Sequence, residues 1–122
     1  MLYEELSKTV LDGVFSVHRE LGPGLLEQPY HNALYMAFRE LGCTVGYEQQ
    51  FEVLFRGEVV GEYYADLVVN GCIVVEVKAV AALNEQHEAQ LLNYLRISGC
   101  SLGYVVNFAP RRVEFMRRVL SG

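Results

Sequence analysis

The stretch Gly61-Glu62-Tyr63-Tyr64-Ala65-Asp66-Leu67-Val68-Val69-Asn70-Gly71-Cys72-Ile73-Val74-Val75-Glu76-Val77-Lys78 decides the fold. Asn70–Gly71 is a two-residue pair that favours a tight antiparallel turn. Val59 to Val69 precedes it as a strand, and Cys72 to Val77 follows as a second. That second run is short, rich in β-branched residues and almost wholly apolar, which suits a central strand covered on both faces. Asp66 interrupts the first strand and Glu76 the second, with Lys78 two residues further on. Residues i and i+2 of a strand share a face, so Glu76 and Lys78 point the same way. The turn folds the strands back so that residues whose numbers sum to about 141 or 142 oppose one another, which brings Asp66 close to Glu76.

Working outward, Val45 to Phe55 reads as a strand joined through Arg56-Gly57-Glu58 to Val59–Val69. Before it, Leu6, Val10, Val14, Val17 and Leu21 recur at helical spacing from Tyr3 to Leu21, and Leu21-Gly22-Pro23-Gly24 ends that helix. A second helix runs from Leu26 to Leu41, with Leu26, Tyr30, Leu34 and Ala37 or Phe38 as its buried stripe and Gly42 as its stop. Pro29 fits in its first turn, where a missing amide breaks no internal bond, and this places Glu27 and Gln28 near the helix N-terminus. Downstream, Leu83 to Ser98 is helical through Leu91, Leu92 and Leu95, Leu102 to Phe108 is a strand, and Arg112 to Arg118 is a candidate short edge strand. A helix between the third and fourth strands permits a parallel crossover, whereas the hairpins are antiparallel. The expected fold class is α/β, a mixed sheet flanked by helices in the order ααβββαβ(β), as one domain over residues 1–122.

The chain is 122 residues long and 52% hydrophobic, enough to bury a core within one domain. No run approaches the roughly 18 to 20 apolar residues that span a bilayer, and the N-terminus lacks a basic region followed by an apolar run. The expectation is a cytoplasmic protein with no membrane partner. Cys43, Cys72 and Cys100 are widely spaced and odd in number, which favours free thiols over disulfides or zinc. The formal charge of −5 counts against a protein that grips nucleic acid by its overall field, so any such binding must be local or assisted by a partner.

Burying Asp66, Glu76 and Lys78 costs several kcal/mol each unless they are paired or metal-bound. An ordinary Glu76–Lys78 ion pair, or a strand end that reaches solvent, is the alternative to a functional site. Two convergent carboxylates suit Mg²⁺ or Mn²⁺, and a nearby lysine can orient or deprotonate water or stabilise a phosphate in reaction. There is no His-Glu-x-x-His helix and no phosphate loop ending in Gly-Lys-Ser or Gly-Lys-Thr.

Asp66…Glu76-Val77-Lys78 resembles the core motif of the PD-(D/E)XK nuclease superfamily, with Ala65 standing where the family name has proline. Gly24-Leu25-Leu26-Glu27-Gln28-Pro29-Tyr30 resembles the signature of its small GxxExxY branch, as do the later blocks His87–Leu95 and Gly103–Phe108. The resemblance implies a restriction-endonuclease-like fold and metal-dependent phosphodiester hydrolysis, with DNA as the first expected substrate and RNA or another phosphate ester as an alternative. It implies Asp66, Glu76, the Val77 carbonyl and Glu27 as metal ligands, and Lys78 as the residue serving the attacking water. Gln90 and Tyr94 match a Gln-x-x-x-Tyr pair that faces such sites in RecB-like and Cas4-like nucleases. The two residues also share a helix face, being four apart, although a polar helix edge and a packed tyrosine would read the same way.

His18 and His31 lie near Glu27 in sequence, and His18 is a weaker candidate for the cluster. His87 reads as a helix-surface residue, and Arg111, Arg112, Arg117 and Arg118 as a solvated basic chain end, with phosphate contact as the alternative. A small acidic domain has little surface for a duplex, so a homodimer or larger complex is expected of an active nuclease. The competing expectation is a non-catalytic binding or regulatory module that keeps a metal site.

Overall fold

The computed structural model describes residues 3–120. Two helices, α1 (Glu4–Leu21) and α2 (Glu27–Glu40), lead into β1 (Val45–Phe55), β2 (Glu58–Val69) and β3 (Ile73–Lys78). Helix α3 (Glu85–Ser98), β4 (Leu102–Asn107) and β5 (Glu114–Val119) complete the chain. The five strands lie in sequence order, with every neighbouring pair antiparallel except β3 and β4, which α3 connects as a parallel crossover. The expected α/β class and element order hold, and the edge strand is present. No helix among the described residues is long and apolar enough to cross a membrane.

Both hairpin turns use left-handed backbone where the sequence permits it, at Arg56–Gly57 and Asn70–Gly71. The second sets β2 against β3 with Leu67 opposite Val75 and Val69 opposite Ile73, so the paired numbers sum to 142. Helices α1 and α2 cover one face of the sheet through Val10, Val14, Tyr30, Leu34 and Phe38, packed with Leu67, Val75, Val77 and Tyr104. On the other face α3 seats Leu91 and Leu95 against Val68, Val74 and Val105. A Cβ at Gly103 would meet Leu91 at 2.8 Å and Leu95 at 2.9 Å, so glycine in β4 lets α3 approach the sheet closely.

Several local expectations need correction. Leu26 is 82% exposed because α2 starts at Glu27, which leaves Leu26 at the cap rather than on the buried stripe. Leu21 is also exposed, lying at the last turn of α1. Helix α3 begins at Glu85 rather than Leu83, because the Asn84 side chain accepts from the Gln86 and His87 amides while His87 Nδ1 accepts from the Asn84 amide. This reciprocal cap competes with helix at Leu83–Asn84 and explains His87 without a role in chemistry.

The segment leaving β3 is held by Asn107, which is fully buried. Its Oδ1 accepts from the Val80 amide at 2.9 Å, and its Nδ2 donates to the Val80 carbonyl at 2.9 Å and to Glu114 Oε1 at 3.1 Å. Asn107→Ala would strand these groups in the interior, so thermal or denaturant unfolding is expected to register a loss of at least about 2 kcal/mol. Stability within about 0.5 kcal/mol of the parent would refute that role.

Candidate active site

The ladder between β2 and β3 ends at Leu67–Val75, and the next positions are occupied by the two acids. There the carboxylates take over the backbone bonding. Val77 N donates to Asp66 Oδ2 at 2.7 Å, and Asp66 N donates to Glu76 Oε2 at 2.9 Å. Each acid thus clamps the opposite strand, and the second oxygen of each has no hydrogen-bond donor among the described residues.

Asp66 also marks a change of face. Leu67 and Val69 pack beneath α1 and α2, yet Tyr63 and Ala65, of the same parity, pack beneath α3. The two-residue alternation is therefore broken at Asp66. Its neighbour across β1 is Glu48, which has a left-handed φ of 46° and is absent from the paired register. Glu76, two residues after Val74, takes the α3 face by the regular alternation of β3.

Helix α2 reaches the same place from the opposite side. His31 is buried, stacks on Tyr47 at 4.5 Å and donates from Nε2 to the Asp66 carbonyl at 2.9 Å. Glu27 lies one turn earlier, at the exposed start of α2, where desolvation and then the Asp66 charge push its carboxyl above the ordinary range. Tyr30 is structural: its hydroxyl donates to the Gly22 carbonyl at 2.5 Å and accepts from Leu25 N, and its ring stacks on Phe108 at 4.6 Å. It latches the turn that sets where α2, and with it Glu27, begins.

Glu76 is only 5% exposed, and burial followed by the Asp66 charge pushes its carboxyl up to about 8. Burial also raises Asp66, against the Val77 bond and the nearby His31 and Lys78. Lys78 opposes the rise in Glu27, Asp66 and Glu76, but makes no close ion pair with any of them among the described residues. The simple Glu76–Lys78 pair is thus not formed. From α3, Tyr94 stands close enough to feel both acids, its hydroxyl raised by burial and then by Glu76 and Asp66, while Gln90 opposes that rise from the exposed helix edge.

Asp66, Glu76, Lys78, Glu27 and Tyr94, all expected at the site, lie within electrostatic reach of the two strand acids. Sequence reasoning did not single out Tyr63, whose ring centroid lies 3.7 Å from that of Tyr94, or the contact of His31 with Asp66. A tyrosine at odd spacing from Asp66 reads as facing away, and only the broken alternation brings it to the α3 side. His18 is not part of the cluster, because its Nε2 donates to the Pro110 carbonyl at 2.9 Å and its ring stacks on Phe108. Of the arginines, Arg117 donates to the Tyr104 hydroxyl and Arg118 pairs with Glu88 at 2.5 Å, leaving Arg111 and Arg112 on the surface. All three cysteines are free thiols.

The donor set is chemically suited to a hard divalent ion: two carboxylates with an oxygen each to spare, and a third acid at the adjoining helix start. Among the described residues no three His, Cys, Asp or Glu side chains are gathered tightly enough to hold an ion as they stand. Mutual repulsion of carboxylates opposes such convergence when no cation is bound. A family model described as the PD-(D/E)XK nuclease superfamily matches residues 4–119. The chain belongs to that superfamily. Comparison with curated proteins gives no match. Among solved structures, the crystal structure of SSO0001 is similar, with a TM-score of 0.57 and 21% identity over 97% of this chain and 59% of that one. This is a likeness of fold, consistent with restriction-endonuclease-like architecture, and the chain spans less than two thirds of that protein's length.

Proposed function

We propose that this chain is a divalent-metal-dependent nuclease that hydrolyses phosphodiester bonds, with DNA as the first substrate to test. The observation that carries the reading is the Asp66–Glu76 pair, Glu76 buried and Asp66 half-buried, with no ion-pair partner and one oxygen of each acid unengaged among the described residues. Asp66, Glu76 and the Val77 carbonyl are the ligands we assign to Mg²⁺ or Mn²⁺, with Glu27 as an additional one. When bound, the ion supplies Lewis-acid charge that stabilises negative charge growing on phosphate oxygens. Lys78 orients the attacking water and holds its proton balance, and Gln90 and Tyr94 flank the substrate from α3. The Gly24–Tyr30, His87–Leu95 and Gly103–Phe108 blocks further favour the GxxExxY branch. The three free thiols favour a reducing, cytoplasmic compartment, and the small acidic surface favours assembly into a homodimer or larger complex to grip a duplex.

Calorimetric titration of metal-free protein with Mn²⁺ tests the site, and cleavage of linear and circular DNA tests the chemistry. Binding is expected to vanish in Asp66→Ala and Glu76→Ala. Lys78→Ala is expected to retain binding while cleavage drops about 100-fold or more. Equal cleavage by parent and variants would sink the nuclease reading. A second reading, a non-catalytic regulatory module, is favoured by the charge of −5 and by the engagement of Arg117 and Arg118 within the fold. It predicts ion binding without turnover of DNA, RNA or small phosphate esters.

A further inference from the structure

Two buried side-chain atoms have no hydrogen-bond partner among the described residues, and one of them is the Tyr63 hydroxyl. Tyr63 is 6% exposed. A buried hydroxyl left unbonded is unfavourable, and one kept beside a functional cluster calls for an explanation. The break in alternation at Asp66 puts Tyr63 on the α3 face, the same face as Glu76. Its ring is tilted 58° against Tyr94 at a centroid distance of 3.7 Å, which confines it beneath α3. On that same face, Glu76 holds one oxygen on the Asp66 amide and has no donor on the other among the described residues.

We infer that Tyr63 is a positioning residue for Glu76, its hydroxyl donating directly or through one ordered water to the carboxylate in the ion-bound protein. The inference rests on the metal-site reading above and extends it to a residue outside the family motif. The Tyr63 hydroxyl is pushed up by burial first and then by the charges of Glu76, Tyr94 and Asp66, in agreement with this placement. A carboxylate that binds an ion needs its orientation held from behind, and loss of such support typically weakens ion affinity about 10- to 100-fold. Among the described residues the same hydroxyl has no partner to lose when no ion is bound. A role in metal binding and a role in folding therefore predict opposite results.

The test compares parent, Tyr63→Phe and Tyr64→Phe by Mn²⁺ calorimetry and by thermal unfolding without metal. Tyr64 is the control because its side chain is exposed and, among the described residues, its hydroxyl bonds only Glu62, two positions away. Tyr63→Phe is expected to weaken Mn²⁺ binding by about tenfold or more while its metal-free thermal midpoint equals or exceeds the parent's. Tyr64→Phe is expected to change neither. Parent-like affinity in Tyr63→Phe, with binding still lost in Glu76→Ala, overturns the inference and leaves the metal site intact. A lowered metal-free midpoint with unchanged affinity also overturns it, since the hydroxyl would then be structural. Absence of Mn²⁺ binding in the folded parent overturns the inference together with the reading beneath it.

Discussion

Glu76→Gln is expected to abolish Mn²⁺ binding and, at pH 8, to make the metal-free protein more stable than the parent. Glutamine keeps a side-chain oxygen that can accept from Asp66 N, so the clamp between β2 and β3 survives. What disappears is a charge that the interior resists. Burial beside Asp66 moves the Glu76 carboxyl from an ordinary 4.5 to about 8. Because the folded value is the higher one, the folded state binds more protons than the unfolded state between these two values. Stability from this group is therefore fully present below about pH 4.5 and is lost as pH rises toward about 8. The loss is on the order of a few kcal/mol at pH 8, which corresponds to several degrees in thermal midpoint. Thermal unfolding of metal-free parent and Glu76→Gln across pH 5 to about 8.5 checks this. The parent curve should fall relative to the variant's as pH rises, and parallel curves would show that Glu76 carries no such penalty. Functional sites commonly hold groups that the fold alone would not favour, and here an ion would relieve the charge.

Asp66 separates differently when asparagine and alanine are compared. Asp66→Asn keeps an oxygen for the Val77 amide, whereas Asp66→Ala leaves that amide without its acceptor at the point where the β2–β3 ladder has already ended. An unsatisfied backbone donor costs about 1–3 kcal/mol. Denaturant unfolding of the metal-free variants should thus place Asp66→Ala below Asp66→Asn by about that amount. Both variants should lose Mn²⁺ binding and DNA cleavage, since neither presents a carboxylate at that position. If alanine and asparagine prove equally stable, the Asp66–Val77 bond contributes nothing to holding the strands. If either variant binds Mn²⁺ like the parent, Asp66 is not a ligand.

The superfamily motif was legible because its parts lie close in sequence and their geometry is local. A two-residue Asn70–Gly71 turn and the period of a strand are enough to set Asp66 against Glu76, with Lys78 on the same face as Glu76. The same locality made the helices and all five strands readable to within a residue or two at most ends. Leu26 and Leu83 fall just outside their helices, because caps rather than hydrophobic periodicity decide the boundary.

The sequence by itself determined the order of elements, the hairpin register and the pair of acids, because each follows from neighbouring residues and the fixed periods of helix and strand. Tertiary structure alone decided which distant groups meet the pair. Glu48, in left-handed conformation, stands across from Asp66 where the alternation of β2 breaks, and that break carries Tyr63 to the α3 side, where periodicity would not have put it. The Tyr30 latch on Gly22 and the stacking of Tyr30 on Phe108 fix where α2 starts, and so bring Glu27 and His31 to Asp66. The same is true of His18: its approach to Pro110, 92 positions away, removes it from the cluster through packing that no local pattern encodes.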